Sequence, residues 1–170
     1  MSRPFKDGLD YFELDCQLDD KIRMIQAEFG LIGFAVVVKL FQKIYGGYGY
    51  YSEWNDDILF LFMLDNGLDR ERTNLIQEIV RACIRRNLFS EDLFNRYGIL
   101  TSSGIQRRYL NAVARRDNVV LKKEYLLVNV AHKTVNADIN SINVNINSIN
   151  ADINSQSREE KSREEKRRVE

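Results

Sequence analysis

The sequence predicts a mainly α-helical domain with a small β wing over residues 3–116. A connector over 117–134 can be strand or helix, and a low-complexity tail fills 135–170. Three observations predict this order. Apolar residues recur at helical spacing from about residue 20 to 86, the period changes after Leu88, and a heptad rich in Asn and Ile repeats from Asn136. A chain of 170 residues has room for one domain and an extension.

The first 18 residues read as an ordered arm whose aromatics, Tyr11 and Phe12 among them, dock on the domain. Asp19 and Asp20 can cap a short helix to Phe29 with Ile22, Met24, Ile25 and Phe29 inward, closed by Gly30. A second helix over residues 32–45 is apolar on more than one face, which predicts a central, buried element. Gly46 and Gly47 end it, and Tyr48 to Tyr51 read as a short extended segment before Trp54. Asn55 or Asp56 then caps a helix over 58–64 that stops at Asn66-Gly67.

Residues 70–86 form the longest clean amphipathic helix, with Leu75, Ile76, Ile79, Val80, Cys83 and Ile84 on one face. Leu88-Phe89 and Ile99-Leu100-Thr101 then read as two short strands joined by a loop, the expected wing. Ser102 or Ser103 caps a last helix to about Arg116, with Ile105, Tyr109, Ala112 and Val113 as its apolar side. This is winged-helix order. Its tight helix-turn-helix pair is 58–64 with 70–86, which makes the latter the candidate recognition helix.

Charge is balanced overall, with 25 Lys/Arg against 25 Asp/Glu, but it is unevenly spread. Residues 1–69 carry 6 Lys/Arg against 12 Asp/Glu, and residues 70–134 carry 13 against 6. A positive segment beside a negative one can steer a polyanion to one face, although charges that merely solvate helices give the same count.

On the 70–86 helix, the face opposite the apolar stripe holds Asn74, Gln77, Glu78, Arg81 and Arg85, with Arg70, Arg72 and Thr73 at its start. Asn, Gln and Arg can pair bidentately with base edges in a major groove. Glu71 and Glu78 repel phosphate, and a plain solvated helix face carries similar residues. Arg107, Arg108, Arg115 and Arg116, with Arg96 in the wing turn, would line a basic rim that holds phosphates. The competing reading of Arg115 and Arg116 is charge placed against a helix dipole. The cluster of Tyr45, Tyr48, Tyr50, Tyr51 and Trp54 can stack single-stranded bases, but packing in a small core explains it better.

Chemistry finds little support, and no enzyme is expected. The one histidine, His132, has no Ser or Cys nucleophile near it in sequence. Gly46-Gly47-Tyr48-Gly49 lacks the Lys-Ser/Thr ending and the spacing of a phosphate loop, so no cofactor is expected. The pairs Asp19-Asp20 and Asp56-Asp57 sit at helix starts, where capping accounts for them. Cys16 and Cys83 are too few for a disulfide framework or a zinc site, and Cys83 reads as a core residue. The N-terminal residues lack an apolar signal region and no stretch reads as a membrane span, so a cytoplasmic protein is expected.

In the tail, three heptads begin at Asn136, Asn143 and Asn150, and two Ser-Arg-Glu-Glu-Lys units follow at Ser157 and Ser162. Ile139, Ile142, Ile146, Ile149 and Ile153 keep coiled-coil spacing, which leaves a homo-oligomer open. Asn and Ser oppose helix, so a disordered linker is the favoured reading. A further reading concerns the gene: seven codons are 21 bases, so the heptads can reflect tandem DNA repeats that the encoded protein could bind, while simple slippage duplication gives the same pattern.

Residues 3–12 (Arg-Pro-Phe-Lys-Asp-Gly-Leu-Asp-Tyr-Phe), 29–35 (Phe-Gly-Leu-Ile-Gly-Phe-Ala), 46–54 and 99–109 fall in an ordered set. Together they resemble the N-terminal domain of phage replisome-organiser proteins, a family related to DnaD-like primosome proteins and also known as a domain of unknown function. The resemblance implies a winged-helix domain that serves phage DNA replication initiation, with duplex DNA as partner and a helicase loader or primase as further partners. Longer relatives carry a C-terminal domain for partner contacts, for which 170 residues leave no room. The alternative is a protein-binding adaptor or a transcriptional regulator with no catalytic activity of its own.

Overall fold

The structure is a computed structural model that describes residues 7–116, 119–130 and 141–143. It is mostly helical with a little antiparallel β structure, and it divides into two compact units, Met1–Ile105 and Gln106–Glu170.

In the first unit, α1 runs over Asp20–Gly46, and Asp19 caps it by accepting from the Lys21 N–H at 2.7 Å. The helix breaks at Gly30, whose φ of 70° and ψ of −159° suit only glycine. The break falls where the sequence closes its first helix. Ile22 and Ile25 are buried before it, and Val36, Val37, Leu40, Phe41, Ile44 and Tyr45 after it. Met24, expected inward, is 49% exposed. By length and composition α1 is apolar enough to cross a membrane, whereas the sequence reading found no stretch that reads as a span. Gly30 interrupts that length, and Val37, Leu40 and Ile44 are spent on the protein's own core. The N-terminal arm docks on this helix in part. Phe12 stacks on Tyr45 at 5.0 Å, and the Leu9 N–H donates to the Tyr45 carbonyl at 2.7 Å, whereas Tyr11 faces solvent.

Strand β1 (Ser52–Glu53) leads to α2 (Asp56–Asp65), capped by Asn55, which accepts from the Ile58 N–H at 2.9 Å. A turn through Gly67 and a 3-10 turn over Arg70–Arg72 lead into α3 (Thr73–Arg85). Helices α1 and α3 make the most extensive contact between elements of this unit. Ile76, Ile79 and Cys83 of α3 are completely buried.

The expected wing is not a hairpin. Asn87, at φ 56°, takes the left-handed position that ends α3, and the N–H groups of Asn87 and Leu88 donate back to Ile84 and Cys83 at 2.9 Å each. Leu88-Phe89 is therefore a helix cap rather than a strand. The polar patch read as a loop begins a helix instead, α4 (Glu91–Tyr97), with Ser90 accepting from the Leu93 N–H at 3.3 Å and two acids in the first turn. Gly98 closes α4 at φ 63°. Strand β2 (Ile99–Leu100) then pairs antiparallel with β1, Ser52 opposite Leu100 and Glu53 opposite Ile99. One backbone bond, from the Ser90 N–H to the Thr101 carbonyl at 2.8 Å, ties the start of the expected wing loop to the expected second strand.

Helix α5 (Ser103–Ala112) stops short of Arg116, and the chain continues as turns. In the second unit the buried Gln106 amide clamps the connector, donating to the Tyr125 carbonyl at 2.7 Å and accepting from the Leu127 N–H at 2.8 Å. Tyr125 closes a 3-10 turn, and the residues after it form neither strand nor helix up to the buried Val128. Strand β3 (Val120–Lys122) pairs antiparallel with β4 (Ser141–Asn143), a piece of the repeats expected as linker. The rest of the repeats, the charged end and His132 lie outside the described residues.

Candidate nucleic-acid interface

Helices α2 and α3 follow one another across the turn where the sequence reading placed its helix-turn-helix pair, and local chemistry fixes how α3 begins. The Thr73 hydroxyl donates to the Arg70 carbonyl at 2.7 Å and lies 3.5 Å from the Met63 sulfur. Thr73 thus ties the start of α3 to α2, and a structural bond already occupies its hydroxyl. Residues 70–72 are 3-10 rather than α, so the expected helix starts later than read.

Along α3 the apolar stripe is buried as its period requires, with Ile76, Ile79, Val80, Cys83 and Ile84 inward. Asn74, Glu78, Arg81 and Arg85 are exposed on the other side, with Gln77 half-buried. Asn74, Gln77 and Arg81 follow one another at three- and four-residue steps and so share a face. Among the described residues, their side chains form no hydrogen bond or ion pair with the rest of the chain.

The other candidates on this unit are engaged. Arg85 bonds the Glu28 carboxylate at 3.0 Å and Arg86 bonds it at 2.7 Å, so two guanidinium groups at the end of α3 hold one acid on α1. The sequence reading missed Glu28 and Arg86. No local signal marks them, because the partners are 57 and 58 residues apart. Arg70 lies over the Phe60 ring at 5.5 Å, and Arg72 approaches Asp69 at 3.9 Å. Arg96 sits on α4, not in a wing turn, and is shared between Asp92 at 3.3 Å and the Tyr97 ring at 5.4 Å.

The second arginine group belongs to the second unit. Arg107 and Arg108 are on α5, half-buried and exposed respectively, while Arg115 and Arg116 lie in the turn beyond the helix. Arg107, Arg108 and Arg116 all have intrachain interactions. Arg108 and Arg115 do not share a helix face, since α5 ends at Ala112.

The bond from Arg86, opposed by some desolvation and helped by the charge of Arg85, holds the Glu28 carboxyl below its ordinary pKa. A depressed carboxylate pKa contributes stability above the ordinary value, and that contribution disappears as pH falls through the lowered one. Glu28→Gln should therefore lower the melting temperature slightly at neutral pH, as fits an exposed pair, with no difference from wild type in strong acid. A difference that grows in acid would contradict the assignment. The same substitution frees Arg85, so it should raise affinity for DNA at low salt if α3 contacts phosphate.

The buried Cys83 thiol is pushed up to about 12 by desolvation, which fits a core residue and not a nucleophile, while Cys16 is exposed. Tyr50, Tyr51 and Trp54 are buried, as packing requires, and Tyr48 stacks on Tyr51 at 4.6 Å with one side open. Among the described residues no cluster of His, Cys, Asp and Glu could hold a metal ion.

No solved structure matches the chain. A curated relative, named as an uncharacterized phage-related protein Lin1244/Lin1753 of Listeria innocua serovar 6a, is 40% identical over 123 residues. That alignment covers 71% of this chain and 39% of the relative, so the chain spans well under half of the relative's length. The family model described as Lin1244/Lin1753-like, N-terminal, matches residues 11–105 and ends where the first compact unit ends. The chain belongs to the Lin1244/Lin1753-like N-terminal family.

Proposed function

We propose that this is a phage-related, non-catalytic, cytoplasmic protein that binds duplex DNA through α3 and serves the initiation of phage DNA replication. The carrying observation is the stripe of Asn74, Gln77 and Arg81, exposed or half-exposed, on α3; on this reading α3 is the second helix of a helix-turn-helix pair. Their side chains are committed to no other part of the described chain. On this reading the first unit is a winged-helix variant. Strand β2 takes the place of the strand that returns to β1, and α4 replaces the loop of the wing. The phage association rests on the relative's name, and the replication role rests on the resemblance to replisome organisers.

Filter binding of a duplex at two salt concentrations tests the reading. If Arg81, Arg107, Arg108 and Arg115 each neutralise one phosphate, log affinity falls against log salt with a slope of about −3.6. Affinity then drops on the order of a hundredfold, 4 to the power of about 3.6, between about 50 and 200 mM salt. No measurable affinity at low salt would overturn it. A primase, helicase-loader or single-strand-binding gene beside this one would support the replication role.

A protein-binding adaptor is the second reading, and a separate observation favours it: the outer face of α2 is apolar and exposed, at Phe60, Leu61 and Leu64.

A further inference from the structure

Helix α2 is apolar all the way round from Ile58 to Leu64, which is unusual for a helix at a protein surface. One side is spent on the core, where Leu59, Phe62 and Met63 are buried. The other side has no such use. Phe60 is 49% exposed, Leu61 48% and Leu64 65%. At 3.6 residues per turn these three share a face with Asp57. Asp56 and Asp57 stand at the N-terminal end of that face and Asp65 at its C-terminal end, all exposed. Among the described residues none of these three acids forms an ion pair. Asp69, in the turn that follows, is matched by Arg72, and Arg70 already lies over the Phe60 ring.

An apolar centre with an unmatched carboxylate at each end sets the chemistry of what can cover it. Duplex DNA is excluded, because its phosphates would face Asp56, Asp57 and Asp65 and gain nothing from the leucines. A second copy docking the same face is also disfavoured. Antiparallel pairing would set Asp56 and Asp57 against Asp65 of the other copy, and parallel pairing would set like ends together. The complementary occupant is a helix with an apolar ridge and cationic ends. The Phe60 ring is already favourable to a guanidinium, since Arg70 occupies one such position at 5.5 Å. We propose that the Phe60–Leu61–Leu64 face of α2 is a docking site for a basic amphipathic helix of a partner protein. The site is separate from the α3 stripe and does not depend on DNA binding.

Two labelled helical peptides test it against the full chain by fluorescence anisotropy. Both carry leucines at i, i+3, i+4 and i+7, one flanked by Lys and Arg and its twin flanked by Glu. The basic peptide should bind at low salt about tenfold or more tightly than its twin, a preference that fades as salt screens it. Leu64→Glu should abolish binding and Phe60→Ala weaken it by about tenfold, with unchanged circular dichroism because both side chains are half-exposed or more. The double change Asp57→Lys, Asp65→Lys should reverse the preference between the peptides. The proposal is overturned if both peptides bind alike, if neither binds, or if binding survives Leu64→Glu. Sedimentation and filter binding supply two further overturning results. One is a dimer that Leu64→Glu dissolves, which would make a second copy the occupant. The other is loss of DNA affinity in the same variant, which would assign the face to nucleic acid.

Discussion

Phe89→Ala is expected to destabilise the first unit by about 3–5 kcal/mol, the range for truncating a fully buried aromatic. The ring has 0% exposure and meets Phe41 of α1 edge-on at 6.4 Å. Truncation removes its transfer free energy and leaves a cavity between α1 and the end of α3, where the N–H groups of Asn87 and Leu88 close the helix. Urea unfolding followed by Trp54 fluorescence reads the effect, since this single tryptophan is buried and packs edge-on to Phe62 at 5.6 Å. Leu64→Ala serves as control and should shift stability by no more than about 0.5 kcal/mol, because the side chain is exposed. A loss below about 1 kcal/mol for Phe89→Ala would contradict the complete burial of the ring in this core.

That contrast shows where the sequence was legible. The breaks at Gly30 and Gly67 and the caps Asp19 and Asn55 are local chemistry, so α1, α2 and most of α3 can be read from neighbouring residues. Helix α4 is two turns long, and Leu88-Phe89, Leu93-Phe94 and Ile99-Leu100 suit short strands as well as helix turns. The deciding group was Asn87 in a left-handed conformation, which a sequence marks with Gly far more plainly. The pairing of β1 with β2 joins Ser52 to Leu100, a distant match that two-residue strands do not announce. For the candidate site, helical period alone placed Asn74, Gln77 and Arg81 on the outer face. It was silent on Arg85, because the carboxylate that captures it comes from a distant helix. Thr73 went the same way, its hydroxyl used within the turn.

The separation between committed and uncommitted side chains gives the sharpest expectation for DNA. If the heptads trace repeated sites in the gene, the protein should prefer duplex carrying its own 21-base repeat over scrambled duplex of equal length and composition. Asn74, Gln77 and Arg81 would carry that preference, because amide and guanidinium groups read base edges bidentately. Replacing any one by Ala should cost about 1–3 kcal/mol of discrimination, so the triple variant should bind both duplexes alike. Arg107→Ala or Arg108→Ala should weaken binding to both duplexes equally and reduce the salt slope by about 1, since phosphate contacts position without specifying. Thr73→Val should leave discrimination unchanged, because its hydroxyl serves the Arg70 carbonyl rather than solvent. Competition titrations of the repeat against the scramble measure all of these. Equal affinity in the wild type would remove the repeat as a target and leave salt-dependent, non-specific binding to be judged on its own. A preference that survives the triple change would move base reading off α3 altogether.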